Sequence, residues 1–254
     1  MSFTFAYLGP LTNEIDVVLS NLDENLNWEF AEEALYNSGL VFSEKSNERI
    51  IAEIKQRFKS NNEFLPSLNS VIALSKSNMN SRSKVEIYYV YLYNIDPLVS
   101  TMVEYLGEIY ENSSSNLVIT RKDVKNLLLR YLERNKKKIT SKSVENWIGR
   151  FLSLLKEINI LIPQARSSFI MNLGGISLET WTFFVLDAYF ENYNPLESYF
   201  INAFQIKEDH IANLISWSNT KKWVNCKLQV TDNKAKYMEI NTNYNCLGNW
   251  LNDL

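Results

Sequence analysis

A cluster of basic and polar residues in the middle of the chain has the chemistry needed to contact DNA. The three successive lysines Lys136, Lys137 and Lys138 carry the positive charge that neutralises backbone phosphates. Further along, the Asn146 amide has the donor and acceptor to pair with adenine, and the Arg150 guanidinium has the fork to pair with guanine. The candidate DNA-contacting residues are Lys136, Lys137, Lys138, Lys142, Ser143, Asn146, Arg150 and Arg166.

Residues that commonly bind metals or perform catalysis are scarce. His210 is the single histidine, and Cys226 and Cys246 are the two cysteines, which excludes multi-histidine metal sites and cysteine–zinc clusters. No serine or cysteine nucleophile motif accompanies His210, so we expect it to be a surface or helix-capping residue. Phosphate-binding loops of the forms GxxxxGK and GxGxxG are also absent. The sequence therefore predicts a protein that is not an enzyme and needs neither a metal nor a cofactor.

Positive charge is concentrated between Arg121 and Arg150. This segment holds ten of the 26 basic residues and three of the 29 acidic ones, so it carries +7, and the remainder carries 16 − 26 = −10. One strongly positive block within a chain of net charge −3 is typical of a surface that attracts a polyanion. The alternative is that this block pairs with the acidic remainder of the folded chain.

Two amphipathic helices must position the basic residues. The first begins at Thr120 or Arg121, and its apolar residues have the i, i+3, i+4, i+7 spacing of one helix face. Ser141 or Ser143 caps the second, whose apolar stripe consists of Val144, Trp147, Ile148, Phe151, Leu155 and Ile158. Short apolar strands at 160–163 and 169–173 follow. The order of helix, short basic turn, helix and hairpin predicts a winged helix-turn-helix.

The rest of the chain predicts a mainly α-helical protein with small β-hairpins as wings, because Gly (7) and Pro (5) are scarce and helical spacings recur. We expect an N-terminal helical domain over 1–111, the central winged helix over 117–173 and a C-terminal winged-helix-like module over 176–254. The serine-rich loop Asn112–Asn116 marks the first boundary. The C-terminal module contains a helix over Pro195–Phe204 and a hairpin that turns at Asp232-Asn233.

The chain has no sequence feature of a membrane or secreted protein. Its longest stretches without Asp, Glu, Lys or Arg are 13 residues, at Met1–Asn13 and Ile240–Asn252, whereas a membrane span needs about 20 apolar residues. The first residues lack a basic region followed by an apolar core, so no secretory signal is expected. Two distant cysteines fit a reducing compartment, which predicts a cytoplasmic protein.

With this order of elements, the sequence resembles the BrxA family of BREX bacteriophage-exclusion systems from about Asn13 onward. The stretches that carry the resemblance are Trp28-Glu29-Phe30-Ala31-Glu32, Lys55-Gln56-Arg57-Phe58, Ile87–Tyr105 around Asp96-Pro97-Leu98, Ser143–Leu161, Tyr199–Phe204 and Leu247-Gly248-Asn249-Trp250-Leu251. The resemblance implies a non-enzymatic, helical DNA-binding component of a phage-defence operon. It also implies companion proteins that include a DNA methyltransferase, an ATPase and a phosphatase-like protein.

Three functional hypotheses follow from these observations. The first is binding of double-stranded DNA through the basic helix-turn-helix. The second is a scaffold subunit whose basic face docks an acidic partner protein of the defence system. The third is RNA binding of the helical antitermination-factor kind, which differs from the first because the narrow A-form major groove excludes a recognition helix.

Overall fold

The structure is a computed structural model that describes residues 9–23, 25–59, 62, 64–112, 118–231 and 234–254. Six of the described helices precede the basic segment. They are α1 (Thr12–Ser20), α2 (Trp28–Asn37), α3 (Glu44–Phe58), α4 (Leu68–Lys76), α5 (Ser81–Ile95) and α6 (Pro97–Glu111).

The basic segment and the C-terminal part contain further helices and five described strands. The central elements are β1 (Val118–Thr120), α7 (Arg121–Arg134), α8 (Ser141–Glu157), β2 (Leu161–Ala165) and β3 (Ser168–Met171). The C-terminal elements are α9 (Leu178–Phe190), a 3-10 turn (Pro195–Glu197), α10 (Tyr199–Ala203), α11 (Glu208–Lys221), β4 (Asn225–Thr231), β5 (Lys234–Asn241) and α12 (Leu247–Asn252).

Polar side chains fix where several helices begin. The Ser43 side chain accepts a hydrogen bond from the Ser46 backbone N–H at the start of α3. At the start of α6 the Asp96 carboxylate accepts hydrogen bonds from two backbone N–H groups, and Pro97 takes the first helical position. The expectation that Asp96-Pro97 opens a helix is confirmed.

The strands form two small antiparallel sheets. The first has the order β1-β3-β2, with Ile119 opposite Phe169 and Ile162 opposite Ile170. The second is the β4–β5 hairpin. The sequence predicts β2, β3 and this hairpin, but it does not predict β1, which is a strand of three residues.

Buried apolar side chains from all parts of the described chain belong to one contiguous cluster, which extends from Leu11 to Leu251. The indoles of Trp147, Trp181 and Trp250 are fully buried within it. The regions 1–111, 117–173 and 176–254 therefore contribute to a shared core, and their division into domains stays a prediction.

Buried polar contacts attach α9 to the N-terminal helices. The Asp187 carboxylate on α9 accepts hydrogen bonds from the Ser70 hydroxyl of α4, at 3.1 Å, and from the Tyr193 hydroxyl, at 3.0 Å. Burial raises the pKa of Asp187 to about 6. At the other end of α9, the Ser177 backbone N–H donates to the buried Glu86 carboxylate of α5 at 3.0 Å. These contacts fix α9 at both of its ends.

The expectation of a mainly α-helical protein is confirmed. The expectation of one helix over Pro195–Phe204 is wrong, because Ser198 is extended (φ −69°, ψ 147°) and separates the 3-10 turn from α10. Most of the predicted serine-rich boundary and the Asp232-Asn233 turn lie outside the described residues. None of the helices described is both long and apolar enough to cross a membrane.

Candidate nucleic-acid interface

The start of α7 is fixed by a reciprocal cap. The Thr120 side chain accepts a hydrogen bond from the Asp123 backbone N–H, and the Asp123 carboxylate accepts one from the Thr120 backbone N–H. These hydrogen bonds lower the pKa of Asp123. The helix therefore begins at Arg121, which is one of the two predicted starting points.

The start of α8 differs by one residue from the prediction. Thr140, not Ser141 or Ser143, is the capping residue, and its side chain accepts a hydrogen bond from the Ser143 backbone N–H. The Ser143 hydroxyl lies 2.9 Å from the Thr140 hydroxyl and is half-buried. Ser143, predicted to contact DNA, thus forms a local hydrogen bond at the beginning of the helix.

The turn between α7 and α8 has a defined backbone geometry that presents three lysines to solvent. The Lys136 N–H donates to the Glu133 carbonyl at 3.0 Å, and the Lys137 N–H donates to the Leu132 carbonyl at 2.8 Å. This pair of bonds is a Schellman motif, and Lys136 occupies its left-handed position with φ 51°. The Lys136, Lys137 and Lys138 side chains are exposed.

These lysines are not neutralised by the acidic remainder of the described chain. None of the ion pairs between described residues involves Lys136, Lys137 or Lys138. Lys142, one turn into α8, is likewise exposed and outside these pairs. Of the two alternatives for the basic block, ion pairing with carboxylates of the described residues therefore does not apply to these four cations.

The two faces of α8 separate as the apolar spacing predicts. The stripe of six apolar residues is buried, and the Trp147 and Phe151 rings stack with their centroids 4.6 Å apart. On the other face the Asn146 amide is exposed. The helix therefore has one face fixed in the core and one polar face available to a ligand.

A network of three charges that the sequence analysis did not predict lies beside Asn146. Glu145 of α8 accepts hydrogen bonds from Arg121 at 2.9 Å and from Lys125 at 2.6 Å, both on α7. Hydrogen bonds from Lys125 and Arg121 lower the pKa of Glu145. All three side chains are about 40% exposed. Glu145 thus holds two cations in ion pairs next to Asn146 in the sequence, and the network keeps a net charge of +1.

Arg150 is less accessible than predicted. Its side chain is half-buried, and it lies against Gly9, where a Cβ atom would be 3.4 Å from the arginine Cδ. Burial lowers the pKa of Arg150. Arg150 therefore lies partly beneath neighbouring residues, among them Gly9, and its contact with DNA stays a prediction.

The turn between β2 and β3 lies beside the start of α7. The Ser167 carbonyl accepts a hydrogen bond from the Arg121 backbone N–H at 3.3 Å, and Arg166 in the same turn is exposed. The structure thus brings Arg166 near the Arg121–Glu145–Lys125 network. Lys136 lies 15 residues beyond Arg121, which corresponds to about 22 Å along a helix axis.

Two basic residues of the +7 segment face elsewhere. At 100° per residue, Arg130 is about 180° around α7 from Arg121. Arg130 and Arg134 line an apolar groove between α6 and α7 that also contains Leu106, Ile109 and Leu127. Its two adjoining cavities have volumes of about 340 Å³ and 170 Å³. The basic segment therefore supplies two distinct surfaces, a division that its total charge does not reveal.

The few residues of a type used in catalysis, His210, Cys226 and Cys246, all lie in the C-terminal part of the chain. The His210 imidazole accepts a hydrogen bond from the Lys207 backbone N–H at 3.3 Å, so it caps α11 as expected. Cys226 is buried and Cys246 is exposed. The described residues contain no group of three or more His, Cys, Asp or Glu side chains arranged to hold a metal ion.

Comparisons with protein-family models, with curated proteins and with solved structures found no significant match for this chain. Its function is therefore inferred from the geometry of the site and from the sequence.

Proposed function

We propose that this protein binds double-stranded DNA through the polar face of α8 and the lysine turn that precedes it. The observation that carries the proposal is the set of three exposed lysines, Lys136 to Lys138, that no described carboxylate neutralises. They adjoin a helix whose buried stripe fixes the direction of its polar face. In this arrangement the lysines bind phosphates and Asn146 faces the edges of the bases.

The order of elements supports assigning 117–173 to the winged helix-turn-helix class. A short strand precedes two helices, a two-stranded hairpin follows them, and all three strands join in the order β1-β3-β2. In this class α8 is the recognition helix, which enters the major groove. The β2–β3 turn is then the wing, and Arg166 is positioned to contact the phosphate backbone next to the groove.

The resemblance to the BrxA family extends the proposal to the cell. We propose that the protein is a non-enzymatic component of a bacterial phage-defence system, in the cytoplasm, and that it acts on DNA together with other proteins of that system. The lysines of the α7–α8 turn, Lys142 of α8 and Arg166 of the wing form the proposed DNA site, and the groove between α6 and α7 is left free for a protein partner.

The salt dependence of binding to a mixed-sequence duplex tests the proposal. If five exposed cations each neutralise one phosphate, the slope of log affinity against log salt concentration is about −4 to −5. Replacement of Lys136, Lys137 and Lys138 by alanine removes three of these contacts and makes the slope shallower by about 2.7. Fluorescence anisotropy of a labelled duplex measures both slopes.

A control variant with three other exposed lysines replaced tests whether the position of the lysines, and not only their charge, determines duplex affinity. Lys221, Lys222 and Lys227 are also exposed, and Lys222 shares the left-handed backbone of Lys136. Their replacement by alanine is expected to leave duplex affinity within about twofold. Equal losses in both triple variants, or an unchanged slope in the first, would refute the assignment of the site. Competition by double-stranded RNA as strong as that by DNA would favour the RNA-binding alternative.

A further inference from the structure

Gly9, three residues before α1, lies beside Arg150 of the proposed recognition helix. Gly9 is buried and has φ +74°, a conformation that side chains rarely adopt. A Cβ atom on Gly9 would lie 3.4 Å from Cδ of Arg150, 3.6 Å from Nη1 and 3.7 Å from Nε. These are ordinary van der Waals distances, so the backbone of residue 9 lies beside the arginine with room for one methyl group between them.

A buried arginine holds this backbone in place. Arg57 of α3 is fully buried, and it donates hydrogen bonds to the Gly9 carbonyl at 3.0 Å and to the Pro10 carbonyl at 2.5 Å. Its Nε donates to Glu53 at 3.1 Å, one turn earlier on the same helix. The ion pair with Glu53 compensates the buried charge of Arg57 and orients the guanidinium. Its remaining N–H donors bind the two carbonyls.

We infer that Arg57 and Gly9 are positioning residues, which hold Arg150 in the conformation that it uses to donate hydrogen bonds to a base in duplex DNA. The inference rests on the proposed function, and it adds a role for two residues that lie far from α8 in the sequence. Arg57 fixes the carbonyls of residues 9 and 10, and Gly9 packs beside the Arg150 side chain.

The physical reason is preorganisation. A free arginine side chain loses rotamer freedom when it binds a base, and a side chain already held by its neighbours loses less. The Arg150 atoms nearest to a Cβ position on Gly9 are Cδ, Nη1 and Nε. Arg150 as a whole is half-buried. Loss of the Gly9 contact is therefore expected to weaken binding without abolishing it.

A double-mutant cycle on duplex affinity tests the inference. Gly9→Ala strains the backbone at φ +74° and shifts the residue that lies beside Arg150, and we expect about three- to tenfold weaker binding. Arg150→Ala removes the base contact, and we expect a loss of about tenfold or more. In the doubly substituted chain, Gly9→Ala is expected to cause no additional loss, because its effect acts through the arginine.

Gly39→Ala is the matched control. Gly39 has nearly the same backbone conformation, φ +76°, and a Cβ atom there would have no neighbour within 4 Å. The control therefore introduces similar backbone strain without contact to α8, and its duplex affinity is expected to equal that of the natural chain. Circular dichroism on all variants shows that each remains folded.

A second measurement examines the position of Arg150 without DNA. The Nε–H resonance of Arg150, assigned by its absence from the Arg150→Ala spectrum of isotope-labelled protein, is expected to shift in Gly9→Ala and in Arg57→Lys but not in Gly39→Ala. Arg57→Lys keeps the positive charge but cannot bind both carbonyls in the same fork geometry.

The outcomes separate the two proposals. Independent, additive losses from Gly9→Ala and Arg150→Ala would overturn the positioning role while leaving DNA binding intact, as would an Nε–H resonance that does not respond to Gly9→Ala. Absence of any salt-dependent duplex binding by the natural chain would instead refute the proposed function, and the inference about the base contact with it.

Discussion

Replacement of Glu145 by glutamine is expected to strengthen DNA binding. Glu145 holds Arg121 and Lys125 through two short hydrogen bonds on the side of the molecule that we assign to DNA. Glutamine has nearly the same shape but no charge, so it releases both cations from their ion pairs. It also removes a negative charge that repels phosphates. Because all three side chains are about 40% exposed, we expect little change in thermal stability.

The size of the effect follows from the number of cations released. Each additional phosphate contact steepens the slope of log affinity against log salt by about 0.9. Two released cations therefore steepen it by up to about 1.8. When salt is lowered from about 200 mM to about 50 mM, the ratio of the variant's affinity to that of the natural chain rises by roughly 3-fold for one new contact and roughly 12-fold for two. The gain is largest at the lowest salt concentration.

The assay is a duplex titration by fluorescence anisotropy at several salt concentrations, with Glu33→Gln as the control. Glu33 is an exposed carboxylate on α2 and takes part in none of the ion pairs between described residues. Its replacement changes the net charge equally but releases no cation. If Glu145→Gln has the same slope and affinity as the natural chain, Arg121 and Lys125 lie outside the DNA interface and the proposed docking of α8 is wrong.

Two further predictions concern stability. Burial raises the pKa of Asp187 from 3.8 to about 6, so its contribution to stability is full below pH 3.8 and is lost as pH rises through 6. Asp187→Asn removes this dependence, and relative to the natural chain it is expected to gain about 2.5 kcal/mol between pH 4 and pH 7.5 in urea unfolding; a parallel pH dependence would contradict this. Lys136→Gly relieves the left-handed strain of the Schellman position, and we expect about 0.5–1 kcal/mol greater stability. Thermal unfolding at constant pH measures it, and a lower midpoint would contradict the strain argument.

Local patterns in the sequence predicted the helices that carry the candidate site. The apolar stripe of α8 is buried as its spacing indicates, since a helix with one apolar face has a single way to lie on a core. Asp96-Pro97 gave a sharp helix start because the cap and the proline act within three residues. Both signals lie within a single helix or its first turn, so they can be recognised without knowledge of the fold.

Contacts between distant parts of the chain cannot be predicted from such local sequence patterns. Arg57 comes directly after Lys55 and Gln56, a polar run that is typical of a surface. It is nevertheless fully buried, and its carbonyl partners lie 47 and 48 residues away in the sequence. The partial burial of Arg150 by Gly9 has the same origin. The strand β1 contains only three residues, and it exists because β3 supplies a pairing edge about fifty residues later.

The placement of Arg130 and Arg134 across α7 from Arg121 has a consequence for assembly. A duplex bound to α8 leaves the groove between α6 and α7 uncovered. Ile109 and Val118 of that groove remain exposed. If the proposed DNA site is right, the groove and the polar face of α8 can be occupied at the same time, and a ternary complex then needs no exchange of one ligand for the other.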